Sequence, residues 1–274
     1  MTSAHTQGIV QYYTRRHAQR RDAFGDRPYA NYGYWTRPGL SMADAAEAMA
    51  GLVAGAAGLC PLDEVLEVGC GYGACAVRYA RAFGAKSIIG IDITPTRIEH
   101  GNEYVKQHGL SDTITLRLGD ATRLDFPAAQ FDKLIAVECA FHFDTRRDFL
   151  REAGRVLRPG GTLVLTDLIP KRGTDVARYV ELENKLAADI QMYNPKNAYD
   201  ADTYAGYLRE AGFAEVRIDS ILPWTLARFI PACREYAQRP TTVDGDKIRA
   251  HADKLQAVVD AGEDYVLVVA RKAD

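Results

Sequence analysis

EVGCGYGA, Glu67 to Ala74, decides the fold of this 274-residue chain. It overlaps VLEVG (65 to 69), a short apolar run that reads as a buried strand, and leads into a stretch with helical spacing, Gly73 to Phe83. Glycines at 69, 71 and 73 permit a tight turn, let a ligand approach the backbone closely, and set it against the free N–H groups of a helix start. Alone, the loop is ambiguous. Gly69, Gly71 and Ala74 also satisfy the dinucleotide pattern G-x-G-x-x-G/A, and glycines can occupy such a turn for packing alone.

Working outward, β-branched runs alternate with amphipathic stretches, the pattern of a parallel sheet covered on both faces. Further strand candidates are SIIGID (87 to 92), ITLRLGD (114 to 120), FDKLIAVE (131 to 138), GTLVLTDL (161 to 168), AEVRIDSI (214 to 221) and YVLVVARK (265 to 272). Helices are expected at 96–108, 145–157 and 201–211, with RPGG (158 to 161) as a helix stop and turn. The first 60 residues, ending in an alanine-rich helix at 42–57, read as an N-terminal cap on a core running from 61 to 274. Two aromatic-bearing helical insertions, 173–199 and 223–262, read as lid pieces.

Three acids sharpen the reading of the loop. Asp92 ends the second strand about 20 residues beyond it, where an acid accepts hydrogen bonds from ribose hydroxyls. Asp120 closes the third strand in GDA, placed for an adenine amino group beside Ala121. Glu67 precedes the glycines, and an anion there suits a ligand bearing an ammonium and a sulfonium better than a pyrophosphate.

With these residues in place the chain resembles the class I S-adenosylmethionine-dependent methyltransferases, strongly over 62–168: Glu67-x-Gly69-x-Gly71-x-Gly73, Asp92, GDA at 119–121 and RVLRPGGTLVLTDL at 155–168. The resemblance implies a Rossmann-like, mostly parallel α/β sheet of seven strands with the last antiparallel, a role that YVLVVARK can fill. QYYT (11 to 14) and NYGYW (31 to 35) look like the cap of the branch containing sterol and tocopherol C-methyltransferases, cyclopropane fatty acid synthases and bacterial natural-product O-methyltransferases. An aromatic wall there can face a sulfonium and exclude water. The implied cofactor set is Tyr13, Tyr34, Trp35, Glu67, Gly69, Cys70, Gly71, Gly73, Asp92, Ile93, Arg97, Asp120, Ala121 and Glu138.

VECAFHFD (137 to 144) places Glu138 at the end of the fourth strand and His142 just after it, on the edge where open α/β sheets bind ligands. Methyl transfer to a hydroxyl needs an aligned acceptor and a base, and histidine as a residue type meets that need. In the natural-product sugar O-methyltransferases that this stretch resembles, a histidine at this position acts with an acid ending strand five, here His142 with Asp167. In the related isoprenoid C-methyltransferases and cyclopropane synthases a glutamate at the Glu138 position serves the reaction instead. Both assignments stay open, so the expected catalytic residues are His142, Glu138 and Asp167. Tyr12, Tyr32, Phe141, Phe143, Tyr193 and Trp224 are the expected substrate contacts, which would make the acceptor largely apolar or aromatic. No paired-carboxylate metal site is legible.

Composition narrows the rest. A net charge of −2 gives no pull towards nucleic acid or an anionic membrane, although Arg15, Arg16, Arg20, Arg21 and Arg27 crowd the N-terminal stretch. No apolar run approaches a membrane span and no signal-peptide pattern opens the chain, so a cytoplasmic enzyme is expected. Five cysteines without a CxxC pair read as reduced and mostly buried. The expected partner is a small-molecule acceptor, and a homodimer is compatible with the sequence. The rivals are C-methylation of an alkene or prenyl diphosphate with the arginines holding the diphosphate, a nicotinamide-dependent dehydrogenase, and a cofactor-binding protein that transfers nothing.

Overall fold

A computed structural model of the chain describes residues 3–16, 27–185, 193–239 and 244–274. Seven strands form one sheet: β1 Glu64–Val68, β2 Ser87–Asp92, β3 Ile114–Leu118, β4 Phe131–Val137, β5 Leu157–Pro170, β6 Phe213–Ser220 and β7 Glu263–Lys272. Their order is β3-β2-β1-β4-β5-β7-β6. The first five run parallel, and β7 runs antiparallel to both β5 and β6. Between β1 and β4 the chain reverses its direction of travel across the sheet. That switch opens a crevice at the carboxyl ends of the strands.

The described helices are α1 Ala4–Arg16, α2 Met42–Ala56, α3 Ala74–Phe83, α4 Pro95–Gln107, α5 Arg146–Val156, α6 Val176–Asn184, α7 Ala201–Glu210, α8 Leu226–Tyr236 and α9 Gly245–Asp260. Strand alternation divides the core between the two faces of the sheet. Val65, Ile88, Ile135 and Val164 pack with α2, α3, α4, α8 and α9. Leu66, Leu134, Leu163 and Leu165 pack with α5 and α7. The alanine-rich face of α2 is fully buried in the first cluster, so a boundary at residue 60 does not separate two hydrophobic cores.

RPGG follows the end of α5, as a helix stop should, but it lies within the span of the next strand. β5 begins at Leu157, directly after α5, and runs through these residues, with Gly160 at φ +69° and a register shift opposite Phe131 and Lys133. Residues 158–161 stand opposite Asp132 alone, so the glycines carry the chain through a break in register inside a long strand. Of the basic N-terminal cluster, Arg27 pairs with Asp44 at 2.8 Å and Glu47 at 2.9 Å, while Arg20 and Arg21 lie outside the described residues. Among the described residues no helix is long and apolar enough to cross a membrane.

Candidate active site

A cleft lies over the carboxyl ends of β1, β2 and β4, with α1 along one side. Gly69 sets its floor. Its φ is +68°, and a Cβ there would lie 2.7 Å from both Cβ and Sγ of Cys139, so a side chain would collide with the loop after β4. Gly71 takes φ +54° on the cleft wall, where a Cβ would meet nothing nearer than Arg97 at 4.0 Å; that face of the loop is open to a ligand. Gly73, by contrast, caps α3 and packs towards Leu116, outside the wall.

Glu67 is 2% exposed on the cleft wall, and its Oε2 has no hydrogen-bond partner. Burial pushes its carboxyl up to about 8, opposed by the Ala76 N–H, and nearby Asp92 raises it further. An unpartnered buried carboxyl oxygen facing a cavity fits the ammonium of an amino-acid ligand. Asp92 accepts from the Gly71 N–H at 3.0 Å and the Thr94 N–H at 2.8 Å, and lies 3.5 Å from the Arg97 guanidinium. Arg97 in turn stacks 3.7 Å from the centre of the Tyr13 ring. Cys70, Ile93, Asp120 and Ala121 complete the predicted residues on this part of the wall. Asp120 Oδ1 accepts from the Thr122 N–H and hydroxyl, both at 2.8 Å, which fixes the carboxylate after β3.

His142 and Glu138 both line the cleft. His142 sits in a single 3-10 turn, Ala140–His142, and is 8% exposed; its Nε2 lies 2.8 Å from the Tyr13 hydroxyl on α1. His5, also on α1, donates to the His142 carbonyl at 2.9 Å. Glu138 takes left-handed backbone at φ 49°, a conformation that non-glycine residues adopt rarely and mostly at functional sites. Its carboxylate accepts the Tyr32 N–H at 2.8 and 3.0 Å and the hydroxyl of Tyr265. Burial pushes this carboxyl up to about 8, and the two donors pull it down.

The structure does not bring Asp167 to this site. Successive strand residues face opposite ways, so when Thr166 turns towards Glu138, Asp167 turns into the other core. There it is fully buried, 2.7 Å from Arg146 Nε of α5, and it accepts the Tyr204 hydroxyl at 3.0 Å and the Leu168 N–H at 2.9 Å.

Several predicted aromatics also lie off the wall. Trp35 donates from its N–H to the Trp224 carbonyl at 2.7 Å and from its indole to the Tyr32 carbonyl at 2.9 Å, while Tyr34 rests beside Trp224. They hold the cap segment down. Trp224 itself is 45% exposed. Tyr32 packs on Phe229, Tyr12 on Tyr13, and Phe141 stacks on the fully buried Tyr193, whose hydroxyl donates to the Asn197 carbonyl at 3.2 Å. Phe143 alone of the six expected substrate contacts reaches the wall. Residues that the sequence did not single out complete it: Thr6 and Ile9 of α1, Tyr29, Asn31, Tyr72 and Cys139. The spacing Thr6, Ile9, Tyr13 is one face of a helix, a signal that a helical reading of 4–16 would have revealed.

The glycine loop, the acids at or near the ends of β1, β2 and β3, and the switch-point crevice make a candidate nucleotide-type ligand site, and a model of the methyltransferase domain matches residues 65–161. The chain belongs to the S-adenosylmethionine-dependent methyltransferases, and its cofactor is S-adenosylmethionine. It is 34% identical over 211 residues to the erythromycin 3''-O-methyltransferase of Saccharopolyspora erythraea, covering 74% of this chain and 68% of that one. It is 28% identical over 254 residues to the 27-O-demethylrifamycin SV methyltransferase of Amycolatopsis mediterranei, covering 89% and 90%. Among solved structures it is similar to the [4+2]-cyclase SpnF, with a TM-score of 0.75 and 26% identity over 98% of this chain and 96% of that one.

Proposed function

We propose that this enzyme methylates a hydroxyl of a small natural product, with His142 as the general base. The observation that carries the reading is the pairing of His142 Nε2 with the Tyr13 hydroxyl on the wall of the cleft. It puts a titratable group and a polar hydroxyl side by side where an acceptor would enter. The relatives named for O-methylation of bacterial products support the same acceptor class.

Bound S-adenosylmethionine supplies a methyl carbon activated by a sulfonium. What remains for the protein is to orient, to exclude water and to take one proton. Glu67 and Asp92 would hold the amino-acid and ribose ends. Tyr13, lying against His142 and over Arg97, would align the acceptor hydroxyl, and His142 would remove its proton as the oxygen attacks. Glu138, which burial inclines to the neutral acid, would present a negative charge to these groups where the sulfonium favours its ionisation. A prenyl diphosphate fits less well, because Arg27 is spent on Asp44 and Glu47 and the acids Glu138, Glu183 and Glu263 surround Tyr32.

Deuteromethyl-labelled S-adenosylmethionine, incubated with the enzyme and a panel of hydroxylated macrolides and ansamycins, tests this by mass spectrometry. Label on oxygen that is lost in H142A supports the reading. Label on carbon would transfer the central role to Glu138. Tight S-adenosylhomocysteine binding without label, which the similarity to a cyclase makes worth testing, would sink it.

A further inference from the structure

β7 carries a residue whose position calls for an aliphatic side chain and whose chemistry does not. Tyr265 pairs with Leu168 of β5, is fully buried, and shares its face of the strand with Leu267. Its ring reaches over β5, and its hydroxyl donates to Glu138 Oε1 while lying 3.4 Å from Thr166 Oγ1. Thr166 in turn accepts the Glu138 N–H through its carbonyl at 3.1 Å and its hydroxyl at 3.2 Å. The Tyr32 N–H, from the cap, closes on both carboxylate oxygens. One glutamate, in left-handed backbone, is thus gripped from β5, from β7 and from the cap.

We propose that Tyr265 is a positioning residue for methyl transfer: its phenol holds the Glu138 carboxyl against the cleft wall and governs the charge it presents to the cofactor's sulfonium. The inference rests on the methyl-transfer reading above only in taking the cleft as the cofactor site. Among the described residues, Tyr265 is the side chain that hydrogen-bonds this carboxyl. Among the described residues, the titratable groups coupled to it include Tyr13 of α1, Tyr32 of the cap, Cys75 of α3, Cys139 of its own loop and Glu263 of β7, and His142 stands on the same cleft wall. Two hydrogen-bond donors, the Tyr265 hydroxyl and the Tyr32 N–H, favour the charged carboxylate against the burial that disfavours it. Removing one makes the neutral acid easier to reach.

The cofactor and its product differ by one charge at sulfur, so their relative affinity reads the charge on Glu138 without any acceptor. Calorimetry with S-adenosylmethionine and with S-adenosylhomocysteine, from about pH 6 to about pH 9, is paired with carbon NMR titration of glutamate carboxyls, Glu138 being assigned by its loss in E138Q. In Y265F the Glu138 midpoint is expected to rise by about one unit or more. The preference for the sulfonium should fall about 3- to 10-fold near neutral pH, towards that of E138Q, and recover at higher pH. Tyr265→3-fluorotyrosine keeps the shape and strengthens the donor, so it should move the midpoint down; it also serves if Y265F does not fold. A midpoint unmoved in both variants, or a midpoint that moves while the preference does not, overturns the proposal. A purely structural tyrosine would weaken both ligands alike at every pH. Neither readout needs an acceptor, so failure to find a methylated hydroxyl leaves this test intact.

Discussion

His142 and Asp167 show how differently two titratable residues at strand ends can be used. His142 faces Tyr13 in the cleft, and H142A is expected to lower kcat by about 10² to 10⁴ while leaving the S-adenosylhomocysteine dissociation constant within about twofold. Y13F should cost less, about tenfold, because on the proposed mechanism it would remove an aligning contact and leave the base; single-turnover methyl transfer measures both. Asp167 holds Arg146 in a dry core, so D167N should cost about 3 to 5 kcal/mol in denaturant unfolding and leave turnover per folded molecule unchanged. The sequence placed Asp167 in β5, although the strand runs on to Pro170. It could not supply the parity that points Thr166 one way and Asp167 the other. Glu67, Asp92, Asp120 and Glu138 were legible because each ends a strand beside a motif. Tyr265 was not, because its partner lies 127 residues away in the chain.

At the scale of elements, the cap segment acts through its backbone more than through its rings. Tyr34 N–H donates to the Ala45 carbonyl of α2 at 2.8 Å, Asn31 Oδ1 accepts the Gly33 N–H at 2.9 Å, and Tyr32 N–H reaches Glu138. Gly33 makes this possible. Its φ is +80°, and a Cβ would sit 2.7 Å from Ala45 Cβ and 2.8 Å from the Ala45 carbonyl carbon. G33A is therefore expected to lift the segment from α2, cost about 1 to 3 kcal/mol, and loosen the grip on Glu138. Thermal melting should show the first effect, and a weaker preference for S-adenosylmethionine over S-adenosylhomocysteine the second. The choice of glycine between two tyrosines was visible in NYGYW as a sign of close backbone approach. That the approach is to a helix, with Trp35 and Trp224 holding it down, depends on contacts between distant segments that periodicity does not carry.

Over the whole molecule, buried acids tie the cofactor site to stability. Glu67 and Glu138 are pushed up to about 8, and Glu183 of α6 and Glu263 of β7, both buried, are raised as well, chiefly by that burial. Each binds its proton more tightly folded than unfolded, where a glutamate titrates near about 4.3. Their contribution is complete below that value and is lost as pH rises towards the folded value, so stability should fall between about pH 5 and about pH 8. Each such group adds up to about 1.4 kcal/mol per pH unit to the slope. The two pairs are separable by ligand. Glu67, with its free oxygen on the cleft wall, would be stabilised as an anion by a bound ammonium, whereas Glu183 and Glu263 lie off that wall. Protection of the melting temperature by S-adenosylhomocysteine should therefore grow as pH rises towards about 8. E67Q should flatten both the slope of the free protein and the growth of that protection. E263Q should flatten the slope alone, and melting curves in which E263Q also abolished the growth would place the ligand's ammonium with the wrong acid.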